Sequence, residues 1–233
     1  MFHQQSVRAL YTRRFDWISL VVEVVGMLIT AVYLTKADPT ATGGPDAFGY
    51  TFIDSNEPGG PIYAWEEISS TGTLVTDWTD FNNGFAGPIP IGFSFNYYGN
   101  AYPELYVNTN GYVSFEQGYL FAPPCCGLPN TSTPNNDIAL FGDDLQLINY
   151  GTESAVYYQT LSNPNRLVIE FVNMYYCCGY PPYVGHTLPG HSVRKWRCSS
   201  PNTQTMNGNT STYVGIENQN GTDGLGYTAS PRR

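Results

Sequence analysis

The chain has 233 residues, a formal net charge of −9 and only 12% charged residues, against 24 Gly, 17 Pro and 19 Tyr. So acidic a chain lacks the positive surface that phosphate backbones require, which excludes nucleic acid as a general partner. Its aromatic content of 15% excludes a disordered polymer and suits an all-β extracellular domain.

At the N-terminus, Arg8, Arg13 and Arg14 precede WISLVVEVVGMLITAVYL. A basic segment followed by an apolar one is the order of an export signal. Glu23 interrupts the apolar run and makes it a poor membrane span. Residues 1–37 are therefore expected to be a signal peptide or signal-anchor. Residues 38–233 are expected to be one module, truncated at its C-terminal end. Membrane contact is expected only through the first segment, where it stays uncleaved.

From there on the chain is punctuated by turns: DSNEPGG, DFNNGFAGP, YYGN, NTNG, LPNTSTPNN, NYGT and SNPN. Short alternating runs lie between them. In IPIGFSFNY, Ile89, Ile91, Phe93, Phe95 and Tyr97 share one face. ELYVNTNGYVSF predicts a hairpin turning at Asn110-Gly111. SAVYYQTL, RLVIEFVN and STYVGIENQ predict three further strands, with Leu167, Ile169 and Phe171 on one face of the second. After GTDGLGYTASPRR one more strand is expected and missing. No segment beyond residue 40 has a helical period. The pattern predicts an antiparallel β-sandwich, jelly-roll-like, behind the N-terminal apolar segment.

Four of the five cysteines form two vicinal pairs in Pro/Gly/Tyr-rich loops, Cys125-Cys126 in APPCCGLPN and Cys177-Cys178 in YYCCGYPPY. Neighbouring cysteines rarely bond each other, so cross-pairing between the loops predicts two bridges with two connectivities. Zinc is the rival reading, but the usual ligand spacing is absent. Disulfides fit an exported chain.

Several of these stretches resemble a module of secreted and surface proteins of bacteria, similar in style to the nidogen-like extracellular domain. They are GPDAFGYTFIDSNEPGGPIYAWEEIS, GPIPIGFSFNYYGNAYPELYVNTNGYVSF, LPNTSTPNNDIALFGDDLQ, PNRLVIEFVN and YVGIENQNGTDGL. The resemblance implies an extracellular, generally non-catalytic module, usually appended to proteases, adhesins or wall-anchored proteins. It implies no ligand.

One stretch does not fit. No Lys or Arg occurs between Ala37 and Asn165, yet HTLPGHSVRKWRCSSPNTQTM carries Arg194, Lys195, Arg197 and Cys198, the cysteine left over from the two vicinal pairs. Modules of this kind place two antiparallel strands there. Back-translation with one base removed from each of three short homopolymer runs yields HTFQVILYESGDVVLQYQTM, a strand, a Ser-Gly-Asp turn and a strand. The single codon of Trp196 forces the Gly of that turn. Residues 188–203 are therefore expected to be out-of-frame translation, and to form an irregular segment or an unnatural sheet edge. The nucleotide sequence across codons 186–206 decides the point.

The remaining motifs are weighed against ordinary turn chemistry. Asp143-Asp144 is the tightest carboxylate pair, suited to calcium or acid–base work but also to capping a strand end. Asp54, Asn56 and Glu57 in one loop, and Asn220 with Asp223 in another, offer hard oxygens to calcium. No resident cofactor is expected beyond such a calcium. Tyr175, Tyr176, Tyr180 and Tyr183 present aromatic faces for sugar stacking, against the reading that aromatics fill cores. No nucleophile–His–acid set is recognisable, since His186 is the only histidine outside the leader and the anomalous stretch. Catalytic residues are expected to be none. The expected function is a non-catalytic structural or adhesion module of a secreted or cell-surface protein, meeting a surface protein or glycan. Carbohydrate binding is the alternative, and an accessory domain of a secreted hydrolase is another.

Overall fold

The computed structural model describes residues 42–53, 57–62, 66–120, 127–177, 186–192 and 213–228. All of them belong to one compact unit, Ala41–Arg233. The expected N-terminal signal segment, 1–37, lies outside the described residues.

Among the described residues, thirteen strands run β1 (Thr42–Gly43), β2 (Phe52–Ile53), β3 (Thr73–Leu74), β4 (Phe85–Tyr97), β5 (Asn100–Asn108), β6 (Tyr112–Ser114) and β7 (Asp137–Gly142). There follow β8 (Leu145–Gln146), β9 (Ala155–Leu161), β10 (Arg166–Tyr176), β11 (His186–Ser192), β12 (Tyr213–Glu217) and β13 (Gly224–Thr228). No helix occurs among the described residues. A six-stranded antiparallel sheet has the order β13-β12-β7-β6-β5-β4. A five-stranded sheet has the order β11-β10-β9-β3, with β8 also paired to β10, and β1 and β2 form a ribbon. The two large sheets share one core, drawn from Ile89, Ile91, Leu105, Val107, Ile138 and Leu140 on one side and Val156, Leu167, Ile169 and Phe171 on the other. The architecture is all-β and sandwich-like, as the turn-punctuated sequence predicts.

Alternation sets the long strand β4. Ile89, Ile91 and Tyr97 are buried and Phe93 and Phe95 half-buried, while Pro90, Gly92, Ser94 and Asn96 are exposed. The register of β4 on β5 shifts at Gly87-Pro88, where proline cannot donate to the ladder. The β5–β6 hairpin turns at NTNG. Gly111 has φ +77°, and a side chain there would strike the Phe141 carbonyl. This turn is a buried polar node. Asn108, Thr109 and Asn110 are at most 1% exposed. Asn110 Oδ1 accepts the Leu145 N–H at 2.8 Å, its Nδ2 donates to Asn83 Oδ1 at 3.1 Å, and Asn108 Nδ2 donates to the Tyr119 carbonyl at 2.6 Å. Burial without these bonds would be costly, so the motif locks three loops to one corner.

Two features go beyond the sequence reading. β10 buries both faces, because Val168 and Glu170 are as buried as Leu167, Ile169 and Phe171. The segment around Ile68 covers the second face, and the Ile68 N–H donates to Glu170 Oε2 at 3.0 Å. The stretch GTDGLGYTASPRR itself contains β13, which pairs with β12 over five residues.

The anomalous stretch begins as a strand. β11 pairs with β10 through Val168↔Ser192, Ile169↔His191, Phe171↔Leu188 and Met174↔His186, with two register shifts. Among the described residues it stands at the edge of its sheet, where Pro189 is tolerated because an edge strand has one unpaired side. By contrast, β9 pairs with the same strand over seven consecutive residues without a shift. Residues 193–203, with Cys198, lie outside the described residues.

Candidate functional site

Around β6, β7 and β12 the outer face of the six-stranded sheet is not exposed to solvent, unlike the exposed positions of β4. Tyr112 on β6 and Ala139 on β7 are buried there against Leu128 and Tyr119, which belong to the long connection between β6 and β7. This connection returns as the proline-rich loop LPNTSTPNN, ending at Asn136, which has φ +57°. Strand parity then places two carboxylates beneath the loop. Ile216 pairs with Ile138, and both turn to the core. One residue further in each strand, Glu217 and Asp137 turn the other way, and both are 0% exposed.

Glu217 is bound to the loop. Its Oε2 accepts the Asn130 N–H at 2.7 Å. Its Oε1 faces the side-chain amide of Asn135. That amide is read with its nitrogen inward, because an oxygen there would face only acceptors. Nδ2 then lies 2.8 Å from the Asn130 carbonyl, 3.1 Å from those of Ser132 and Pro134, and 3.1 Å from Glu217 Oε1. The turn 218–223 closes the cluster from the side. Gly221 has φ +61°, and a Cβ added there would meet the Asn130 carbonyl and the Asn135 amide. Asn218 Oδ1 holds this turn by accepting the Thr222 N–H at 2.9 Å.

Asp137 has no such support. Neither of its carboxylate oxygens has a hydrogen-bond partner among the described residues. Burial, and then the neighbouring Glu217 charge, push its carboxyl well above the usual range. Burial pushes Glu217 up to about 7, the Asn130 N–H opposing it. Tyr97 ties the two strands together behind them. Its hydroxyl donates to the Asp137 carbonyl at 2.6 Å, lies 3.0 Å from that of Glu217, and accepts the Glu217 N–H at 3.1 Å. Burial raises the Tyr97 hydroxyl too, so it stays protonated as a donor.

The residues singled out from sequence are placed elsewhere. Asp143 is buried at the end of β7, and its Oδ1 accepts the Asp144 N–H at 2.8 Å, which is strand-end capping. Asp144 is exposed. Asp223 Oδ1 accepts the Ala47 N–H at 3.1 Å and joins two turns. Glu57 accepts the Gly60 N–H at its carbonyl, at 2.8 Å, in a tight turn, and its loop partners Asp54 and Asn56 lie outside the described residues. Among the described residues, no group of three His, Cys, Asp or Glu side chains converges as a metal site.

The aromatic loop also differs from expectation. Tyr175 and Tyr176 belong to β10, not to an exposed loop. Tyr175 is 7% exposed and its hydroxyl donates to Glu153, while Tyr176 packs on the core. Tyr180 and Tyr183 lie outside the described residues. Cys177 follows β10 and donates its N–H to the Asp144 carbonyl at 2.8 Å. Cys125, Cys126 and Cys178, the other members of the expected cross-pairing, lie outside the described residues.

Sequence reasoning missed Asn130, Asn135, Asp137 and Glu217. The available signal was parity. Glu217 alternates with Ile216, and Asp137 with Ile138, so each reads as solvent-facing. Only the loop folded across the sheet makes them interior.

Comparison with known proteins gives one result. No curated protein and no solved structure matches the chain. The sequence model described as NIDO related matches residues 50–182, more than half of the chain. That span contains β4 to β10, the buried NTNG node and the proline-rich loop over Asp137. The chain belongs to the nidogen-related family.

Proposed function

We propose that this chain is a non-catalytic extracellular module with a structural or adhesive role in a secreted or cell-surface protein. The nidogen-related match over residues 50–182 carries the reading. The chemistry of the loops supports it. Asp46 Oδ1 accepts the N–H groups of Phe48, Gly49 and Tyr50, Asp80 those of Asn82 and Asn83, and Asp143 that of Asp144. Carboxylates spent on turns hold loops in shape and present a rigid surface. The partner class is a cell-surface protein.

A second reading, carbohydrate recognition, is favoured by one observation. A shallow groove is lined by Phe93, Phe95, Asn96, Asn163 and Asn165, combining aromatic faces with amides. The test is binding of the purified chain to a glycan array and, in parallel, to immobilised extracellular-matrix and cell-surface proteins. The adhesive reading expects saturable binding to a protein that survives removal of its glycans. Dose-dependent glycan binding lost in Phe95→Ala moves the assignment to a carbohydrate-binding module. Turnover of a peptide or glycoside substrate by the pure chain overturns both.

A further inference from the structure

The cluster under the proline-rich loop is built like a cation site whose chemistry the turns seen in sequence do not share. We propose that the carbonyl oxygens of Asn130, Ser132 and Pro134, with the Glu217 carboxylate and the Asn135 side chain, bind a hard divalent cation of the Ca²⁺ class, with Asp137 supplying a second negative charge beside it.

The first argument is a count of donors. A side-chain amide nitrogen has two hydrogens. Four oxygens surround the Asn135 nitrogen at 2.8–3.1 Å. Two acceptors are therefore left without a donor from that amide, and of the residues involved Pro134 and Glu217 are buried, where a missing bond is costly. A cation at that point satisfies all four at once. Contraction of the shell by about 0.5 Å brings the oxygens to Ca²⁺ distance, and Ca²⁺ accepts such irregular shells of carbonyl and carboxylate oxygen. Mg²⁺ requires a near-ideal octahedron at about 2.1 Å, a tighter shell than this loop offers.

The second argument is charge. Glu217 and Asp137 are both fully buried, and no ion pair among the described residues reaches either. Asp137 has no hydrogen-bond partner there at all. Buried carboxylates are ordinarily paired, bound to metal or neutralised by a proton. An amide nitrogen brings no charge and leaves protonation as the only relief. A divalent cation matches two carboxylates. The ion takes the place of the amide nitrogen, and Asn135 turns its Oδ1 to the shell.

The site differs from every calcium candidate visible in sequence. Asp143 and Asp223 cap turns, and the proposed ligands are mostly backbone carbonyls, which residue types do not advertise.

The test uses the full chain, stripped with EDTA and titrated with CaCl₂ to about 10 mM, the range of weak extracellular sites. Thermal unfolding at pH 7.5 is expected to rise by roughly 3–10 °C. Tb³⁺ is expected to show Tyr-sensitised emission, displaced by Ca²⁺. Glu217→Gln is expected to weaken both responses at least tenfold, and the exposed Asp144→Asn to leave them unchanged. Should Glu217→Gln fail to fold, Asp137→Asn and the wild-type titration carry the test. A wild-type melting temperature indifferent to 10 mM Ca²⁺, or Tb³⁺ binding by the Glu217 and Asp137 variants as tight as that of wild type, overturns the proposal. The outcome does not depend on whether the module adheres to protein or glycan.

Discussion

The six-stranded sheet carries opposite chemistry on the two faces of the same strands. On the inner face, Val113, Ile138, Leu140 and Ile216 meet the aliphatic side chains of β9 and β10. On the outer face, Tyr112, Ala139, Asp137 and Glu217 meet a loop instead of a sheet. At β6, β7 and β12 both faces are buried, but one is covered by apolar packing and the other by backbone carbonyls and amides. Apolar packing is indifferent to pH and ions. A polar cover over two carboxylates is not, and its stability depends on which species neutralises them. The difference shows that the fold is held by its inner face and tuned by its outer one.

The largest effect expected from that comparison lies inside. Ile138→Ala removes a fully buried side chain between the sheets, and large-to-small changes of this kind cost about 2–5 kcal/mol. Urea unfolding measures it. A loss below about 1 kcal/mol would mean that the inner face is not the one that holds the fold.

Next comes the covering loop. We expect Cys177 or Cys178 to be bridged to Cys125 or Cys126, which lie in the connection that crosses the outer face. Non-reducing peptide mapping identifies the pairs. Reduction of each bridge should lower stability by about 2–5 kcal/mol. Vicinal pairs, or free thiols in the native chain, would leave the loop held by Glu217 and Asn130 without a staple.

The effect most diagnostic of the outer face is its pH dependence. Burial raises the carboxyls of Asp137 and Glu217, the latter to about 7. The unfolded Glu titrates near 4.3. In the window between, the folded chain holds a proton that the unfolded chain has released, so stability falls as pH rises. The contribution is fully present below the unfolded value and is lost as pH passes through about 7. In EDTA, the melting temperature should therefore drop from pH 5 to pH 8, and Glu217→Gln should flatten the decline relative to wild type. With Ca²⁺ present the decline should shrink, since the ion favours the ionised pair. A wild-type profile parallel to that of Glu217→Gln in both media would show that these carboxylates are neutralised in another way.

Much of the fold was legible along the chain because its signals are local. Period-two alternation placed β4 and β10, and Asn-Gly placed the β5–β6 turn at Gly111. The break in that pattern was legible too. Where β9 meets β10 without a shift, β11 pairs with two shifts through a proline. An out-of-frame origin for 188–203 remains our reading of the anomaly, and the retained edge pairing is compatible with it, because an edge strand needs only backbone groups on one side. The resemblance of GPIPIGFSFNYYGNAYPELYVNTNGYVSF to the nidogen-like module was also readable, and the family match includes it.

By itself, then, the sequence determined the all-β class, the strand faces, the main hairpins and the family, all of which follow from residue types a few positions apart. Tertiary structure decided where the polar groups end up. Tyr175 is apart from any loop surface because β10 continues through it. Glu170 is interior because the segment at Ile68 folds over it. Asp137 and Glu217, 80 residues apart in the chain, become neighbours because β7 and β12 pair, and LPNTSTPNN closes over Glu217. Carbonyl oxygens look the same at every position of a sequence. Only the path of the backbone aims three of them at one point.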